Sequence, residues 1–111
     1  KYLWIDINKH FKTMEPQVSE QEVIDRLLFS QIIEALYCYE EGVLNSIFEA
    51  NIGSIYGWGF PPPGIFQFIN EYGIENFVKR SKTLSASYGK YYDLPSTLNN
   101  VSDIKKFLQN D

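Results

Sequence analysis

The chain has 111 residues, of which 44% are hydrophobic and 22% charged, ordinary values for one globular, soluble domain with a single core. Its formal net charge of −4 and its scattered lysines and arginines leave no basic stripe, which argues against nucleic acid and anionic membrane surfaces as partners. No apolar run approaches the roughly 18 residues that a membrane span needs, and no signal-peptide pattern stands at the amino terminus.

The amino-terminal segment predicts one short helix. Ile7, Phe11 and Met14 are spaced by four and three residues, with Asp6 as a candidate N-cap. Pro16 then breaks the pattern, because proline lacks an N–H donor and disfavours a helical residue before it. The stretch around it is therefore interpreted as a connector.

A long helix from about Ser19 to Glu41 follows, and we expect the rest of the chain to pack on it. Ser19 and Glu22 form an S-x-x-E capping box, in which each side chain satisfies a backbone N–H group of the first turn. Gly42 supplies a left-handed C-cap at little steric cost. About 22 residues at roughly 1.5 Å each make a rod of about 33 Å. The predicted apolar stripe consists of Ile24, Leu27, Leu28, Gln31, Ile32, Ala35, Leu36 and Tyr39.

A second S-x-x-E box, Ser46 and Glu49, predicts a shorter helix that ends near Tyr56. Residues 57–64 follow, where glycines permit unusual backbone angles and three prolines predict an extended chain. The positions expected to face the long helix are Ile47, Ala50, Ile52 and Ile55.

Three further helices are indicated in the second half of the chain. Residues 65–72 predict a third helix stopped by Gly73, and a fourth runs from about Glu75 to Tyr88. Ser102 is the candidate cap of a last short helix. Lys79, Arg80 and Lys82 are expected to form the solvent face of the fourth helix. Because no stretch alternates for long enough to indicate a strand, we predict a single all-α domain over residues 1–111.

The sequence offers little chemistry of its own. His10 is the only histidine and has no cysteine or acidic residue at metal-ligand spacing. Cys38 is interpreted as a small buried thiol, and as the only cysteine it cannot form an internal disulfide, which fits a reducing compartment. Glu22 and Arg26, four residues apart, predict a surface ion pair. No phosphate-binding glycine motif is visible, so we expect no catalytic, cofactor or metal site in this segment.

Several blocks of residues between about Glu22 and Leu98 stand in an order that is informative when they are taken together. They are Asp25-Arg26-Leu27-Leu28-Phe29, Glu34-Ala35-Leu36, Glu41-Gly42-Val43, Asn51-Ile52-Gly53-Ser54-Ile55, Gly57-Trp58-Gly59-Phe60-Pro61-Pro62, Gln67-Phe68-Ile69-Asn70, Tyr72-Gly73, Phe77-Val78, Leu84, Tyr88-Gly89 and Pro95. In this order the chain resembles the carboxy-terminal helical domain of 3-hydroxyacyl-CoA dehydrogenases. It is most similar to the last domain of multifunctional fatty-acid oxidation proteins.

The resemblance implies a fold, a parent activity and partners. The fold is the helical one of the 6-phosphogluconate dehydrogenase carboxy-terminal domain, built on one long central helix. In the family, a separate amino-terminal Rossmann domain binds NAD and carries the catalytic His and Glu, both missing here. The helical domains close over the acyl-CoA and form subunit contacts. The chain, which opens at Lys1 and has Met14 as its only methionine, is thus expected to be a piece of a longer polypeptide, with a processed start as the alternative. A bacterial cytoplasmic location is expected.

Six residues are candidates for contact with substrate or with another domain. They are Asp25, Arg26, Asn51, Trp58, Phe60 and Pro61. Asp25 stands where the first such domain of the family has an Asn that approaches the reacting group, and an aspartate presents charge without an amide donor. This departure fits the noncatalytic second copy of the domain. The family's frequent Trp-Thr-Gly-Gly insertion after Phe-Pro-Pro is missing here, so the loop that faces the substrate is expected to differ.

The same blocks also have roles that need no ligand. Gly53 and Gly57 can let helices approach closely, and Pro61 can begin a helix where its missing donor costs nothing. Trp58 and Phe60 can fill core, or they can form an apolar wall against an acyl chain or the dehydrogenase core.

Two functions stay open on the sequence. In the first, the chain supports NAD-dependent oxidation of L-3-hydroxyacyl-CoA to 3-ketoacyl-CoA in β-oxidation without catalysing it alone. In the second, it is a noncatalytic helical interaction or dimerisation module. Separated from its parent, the domain is expected to expose its docking patch and to self-associate.

Overall fold

Helix α2, Glu20–Glu40, is the long helix that the capping signals predicted. The Ser19 hydroxyl accepts a hydrogen bond from the Glu22 backbone N–H at 3.1 Å, and Gly42 follows the helix with a φ of +77°. The start and the stop are both confirmed, because each depends on contacts made within one helical turn. Only the serine half of the predicted capping box forms, since the two Glu22 carboxylate oxygens bind Arg80 and Tyr88.

The computed structural model describes residues 2–110, and in this range every regular element is helical, which confirms the all-α class. Besides α2, the elements are α1 (Ile7–His10), α3 (Ile47–Trp58), α4 (Gln67–Tyr72), α5 (Ile74–Tyr88), a 3-10 turn (Lys90–Tyr92) and α6 (Val101–Leu108). Helix α5 contacts α4, α6 and the 3-10 turn, and α2 also packs on that turn. Among the helices of residues 2–110, none is both long and apolar enough to cross a membrane.

Aromatic side chains from distant parts of the chain form the core between α2, α4 and α5. Phe29 is fully buried, stacks on Phe77 with ring centroids 4.9 Å apart, and meets the Tyr72 ring edge-on at 5.1 Å. Near the carboxy-terminal end of α2, the Tyr39 ring meets Phe107 of α6 at 4.6 Å. Such offset and edge-on pairs are the favoured aromatic geometries, and they tie the middle and the carboxy-terminal end of α2 to later helices.

The predicted apolar stripe of α2 is partly wrong. Ile24 and Leu27 are exposed, Leu27 to 60%, whereas Phe29 and Ile33, which were left out of the stripe, are buried. Asp25 is buried as well. The period of the pattern was correct, but the buried face is rotated around the helix relative to the predicted one, because neighbouring helices decide where the core lies.

Three local predictions in the second half are also wrong. The last helix is capped by Asn100, whose Oδ1 accepts from the Asp103 N–H at 2.9 Å, and not by Ser102. Pro61 begins no helix, since the proline-rich segment makes a turn in which the Gly64 N–H donates to the Pro61 carbonyl at 3.1 Å. That segment is therefore a turn and not an extended chain.

Residues 2–18, which we call the arm, lie outside the core. The predicted short helix forms as α1, but it ends at His10, so Phe11 and Met14, whose spacing from Ile7 indicated it, lie beyond its end. The Asp6 side chain makes no capping hydrogen bond and instead lies 2.7 Å from the Lys9 ammonium. Phe11 and Met14 are exposed. The residues around Pro16 form the predicted connector to α2.

Candidate functional site

An open apolar groove lies between α2, the turn that follows it and the end of α3. We call it the Trp58 groove, and it encloses about 570 Å³. Its lining residues are Ser30, Gln31, Glu34, Ala35, Cys38, Val43, Leu44, Trp58 and Ile65. Concave, mostly apolar surfaces with a few polar groups are typical of binding sites.

Trp58 stands on the rim of this groove in a defined position. Its side chain is 59% exposed, yet its Nε1–H donates to the Gln31 Oε1 at 3.0 Å. The Gln31 amide in turn donates to the Leu27 carbonyl at 2.9 Å. This chain of hydrogen bonds positions a large apolar ring that is still open to solvent.

The apolar surface continues beyond the groove along α2. Leu27 lies one turn before Gln31 on the same helix face, and Ile24 lies one turn before Leu27. Both are exposed, as is Val43 at the other end of the groove. A contiguous apolar strip of this kind on a folded domain marks a contact surface more often than a solvent face. The Trp58 groove with this strip is the candidate functional site.

Asp25 is buried and is not part of this open surface. It is 5% exposed, its Oδ2 lies 2.9 Å from the Arg80 Nε, and its Oδ1 accepts from the Gln21 amide at 2.9 Å. Both carboxylate oxygens are thus used within the fold. The structure gives Asp25 the role of an ion-pair partner between α2 and α5.

Arg80 therefore does not lie on a solvent face, and that prediction is wrong. It also pairs with Glu22, whose other oxygen accepts from the Tyr88 hydroxyl at 2.9 Å. The predicted pair of Glu22 with Arg26 is replaced by this cluster. The Arg26 guanidinium instead lies 3.9 Å from the centre of the Tyr88 ring, a cation–π contact.

The cluster changes the proton affinity of Glu22. The hydrogen bond from Arg80 lowers the pKa of this carboxyl below its ordinary value of 4.5, and the hydrogen bond from Tyr88 acts in the same direction. The same hydrogen bond raises the pKa of the Arg80 guanidinium above its ordinary value.

A pH dependence of stability follows from Glu22. Because its folded-state pKa is lowered, its contribution is present above pH 4.5, the unfolded value, and is lost as the pH falls through the lower folded value. We expect Glu22→Gln to lose less stability than the wild type on acidification across that window, in urea unfolding followed at a series of pH values. Glu75→Gln, on the exposed start of α5, is the matched control, and equal pH slopes for all three proteins would contradict the prediction.

Asn51 acts at the joint between α3 and α4. Its side-chain oxygen accepts from the backbone N–H groups of Phe66 and Gln67 at 2.8 and 3.0 Å, so it caps α4 from another helix. Ser54, fully buried, accepts from the Ile65 N–H at 3.1 Å and donates to the Asn51 carbonyl at 2.8 Å. The signal in the sequence that could have indicated this joint is a pair of polar residues three positions apart on the mostly apolar helix α3.

The backbone comes close to another helix at Gly64, which lies against Asn51 of α3, and not at Gly53 or Gly57, where the sequence predicted it. A Cβ at Gly64 would lie 2.6 Å from the Asn51 Cβ and 2.7 Å from its Cα. A Cβ on Gly53 or Gly57 meets no atom of the described residues within 4 Å. The prediction that these two glycines let helices approach is wrong, because both face away from the joint.

The two remaining candidates differ in position. Phe60 is 2% exposed and meets the Phe68 ring edge-on at 6.1 Å, so it belongs to the core. Pro61 is exposed in the turn that follows. Of the apolar wall predicted from Trp58 and Phe60, only Trp58 is available to a partner.

The histidine and the cysteine have ordinary surroundings. His10 stacks on Trp4 with ring centroids 5.0 Å apart. Cys38 is half-buried on the wall of the Trp58 groove, and not fully buried as predicted. Within residues 2–110, the structure contains no group of three or more His, Cys, Asp or Glu side chains placed to hold a metal ion.

The described residues thus define an all-helical domain with an apolar groove beside Trp58, whose indole is hydrogen-bonded to Gln31. A scan of the sequence against models of known protein families finds no match.

Proposed function

We propose that the chain is the noncatalytic helical domain of a 3-hydroxyacyl-CoA dehydrogenase, and that it docks on the NAD-binding Rossmann domain through the Trp58 groove. The observation that carries the docking role is the exposed Trp58 indole, held by Gln31 above an apolar groove. Buried tryptophans at the centre of an interface often dominate its binding energy.

The positioning of Trp58 lowers the cost of binding. A side chain already held by a hydrogen bond loses less rotamer freedom when a partner covers it. The lining combines apolar atoms with the polar side chains of Ser30, Gln31 and Glu34, which matches the apolar centre and polar edge of protein interfaces.

The blocks that suggested the dehydrogenase family support the proposal through their structural roles. Asp25 binds Arg80, and Asn51 with Gly64 forms the joint between α3 and α4. These contacts preserve a helical scaffold without offering a free acid or base. We extend the proposal to the fold of the 6-phosphogluconate dehydrogenase carboxy-terminal domain, since one long helix organises the core here too.

In this proposal the chemistry belongs to the partner domain. The described residues are helical and contain no strand–turn–helix unit of the kind that cradles a dinucleotide pyrophosphate, so we assign NAD to the Rossmann domain. The catalytic His and Glu are assigned there as well. The helical domain contributes to oxidation of L-3-hydroxyacyl-CoA by closing over the acyl-CoA and excluding water.

Isothermal titration tests the proposal. We expect the chain to bind the isolated Rossmann domain of a 3-hydroxyacyl-CoA dehydrogenase, to give no heat with acetoacetyl-CoA alone, and to lose about tenfold or more in affinity in Trp58→Ala. Tyr91→Ala, which removes an exposed aromatic of the 3-10 turn, is the control and should bind as the wild type does. No heat with the Rossmann domain, or equal affinity for both variants, would overturn the docking role.

The second candidate, a noncatalytic interaction or dimerisation module, is favoured by a separate observation. The arm, which precedes the first of the enzyme-like blocks, presents apolar side chains to solvent.

A further inference from the structure

The arm carries an unusual amount of exposed apolar surface for its length. Its exposed large apolar residues are Tyr2, Leu3, Trp4, Ile5, Phe11, Met14 and Val18. It also projects from the core, since the radius of gyration is 16.2 Å and the longest dimension 51 Å, against roughly 13 Å for the radius of a compact chain of about this size.

Local contacts give the arm a defined shape. The Trp4 indole stacks on His10, and the Trp4 carbonyl accepts from the Ile7 N–H at 3.0 Å. The ion pair between Asp6 and Lys9 spans the same turn. The arm thus presents its aromatic side chains from a short ordered segment.

We propose that the arm of one chain occupies the Trp58 groove of a second copy, and that the exchange is reciprocal. Such an exchange uses the groove of the proposed function but needs no dehydrogenase partner. It pairs two exposed apolar surfaces of the described residues, namely the arm and the groove with its strip of Ile24 and Leu27.

The surface available is large enough for a stable dimer. Aromatic side chains bury roughly 150–250 Å² each. Two arms, each with several large apolar residues, can therefore bury on the order of 1,500 Å² against two grooves, which is the size of a standard protein interface. A two-fold arrangement closes the assembly at two chains.

Charge supports this pairing. Lys12 lies on the exposed arm, whereas Glu34 lies on the groove wall. Opposite charges at the rim of an apolar contact favour the correct register and speed association.

A disulfide trap distinguishes this exchange from other contacts. The chain has one cysteine, Cys38, and it lines the groove. A chain carrying Thr13→Cys and Cys38→Ser has its thiol only in the arm, between Phe11 and Met14. Mixed with a tagged wild-type chain under mild oxidation, it can form a mixed disulfide only when one chain's arm reaches the other chain's groove.

Reaction of the wild-type protein with a small disulfide reagent first shows that the Cys38 thiol is accessible. We then expect the mixed disulfide between the two chains as the main product. The control chain with Ser87→Cys and Cys38→Ser, whose thiol lies on the exposed face of α5, should give little of it. Equal yields from both chains would overturn the proposal. An internal disulfide in Thr13→Cys alone would overturn it too, because the arm would then close on its own groove.

Sedimentation equilibrium gives an independent measurement on folded protein. We expect a double variant, Trp4→Ala with Phe11→Ala, to weaken dimerisation about tenfold or more, since two exposed anchors are lost without any change in the core. Unchanged dimerisation, or a wild-type chain that stays monomeric at high concentration, would refute the exchange. Either result leaves the titration with the Rossmann domain unaffected, so the two proposals can fail separately.

Discussion

Gly64→Ala is expected to lower the free energy of unfolding by about 3 kcal/mol, through backbone strain and overlap together. Gly64 has a φ of +112°, a conformation that residues with a side chain rarely adopt. The added methyl group would also lie 2.7 Å from the Asn51 Cα, and a backbone atom cannot rotate away. Thermal unfolding should show a lower midpoint, by roughly 10–15 °C for a domain of this size.

Gly53→Ala is the matched control for this variant. Gly53 lies inside α3, and the described residues place no atom within 4 Å of an added Cβ. Alanine stabilises a helix interior relative to glycine, so the same substitution here should raise stability by about 0.5–1 kcal/mol. If the two variants changed stability alike, the joint between α3 and α4 would not be the tight contact described.

Arg80→Ala is expected to have the second large effect, a loss of about 2–3 kcal/mol. Removal of the guanidinium leaves the buried Asp25 carboxylate with the Gln21 amide as its remaining side-chain donor. A buried charge that has lost its partner lowers the free energy of unfolding by more than the intact ion pair had raised it. The loss should stay below that of a fully enclosed pair, because the Arg80 side chain retains 23% of its exposure.

Lys79→Ala provides the comparison, since Lys79 is the exposed neighbour of Arg80 on the same helix. Surface substitutions of this kind usually change stability by about 0.5 kcal/mol or less. Urea unfolding of both variants measures the difference. If the Arg80→Ala protein were as stable as the Lys79→Ala protein, the ion-pair cluster of Arg80 with Asp25 and Glu22 would not stabilise the fold.

The helix ends could be predicted because their causes are local. Ser19 and Ser46 accept hydrogen bonds from N–H groups three residues ahead, and Gly42 and Gly73 end helices at positive φ. The prediction that Ser102 caps the last helix was wrong for a local reason as well, since Asn100 provides a capping oxygen two residues earlier.

The candidate site could be predicted only in part. Trp58 was singled out correctly as a residue that can face a partner, yet its neighbour Phe60 lies in the core. Size and apolar surface do not distinguish the two positions, since both side chains are large aromatics. Their exposure depends on how the Pro61–Gly64 turn returns the chain onto α3 and is decided by packing.

The sequence by itself determined the helical class, the ends of the main helices and the dominance of α2, because capping groups, glycines and apolar periods act over a few residues. Only the tertiary structure decided which face of α2 is buried, that Arg80 binds Asp25 from 55 residues away, and that Asn51 caps α4. These contacts join groups distant in the chain, and their energies depend on burial, which exists only once the helices have packed.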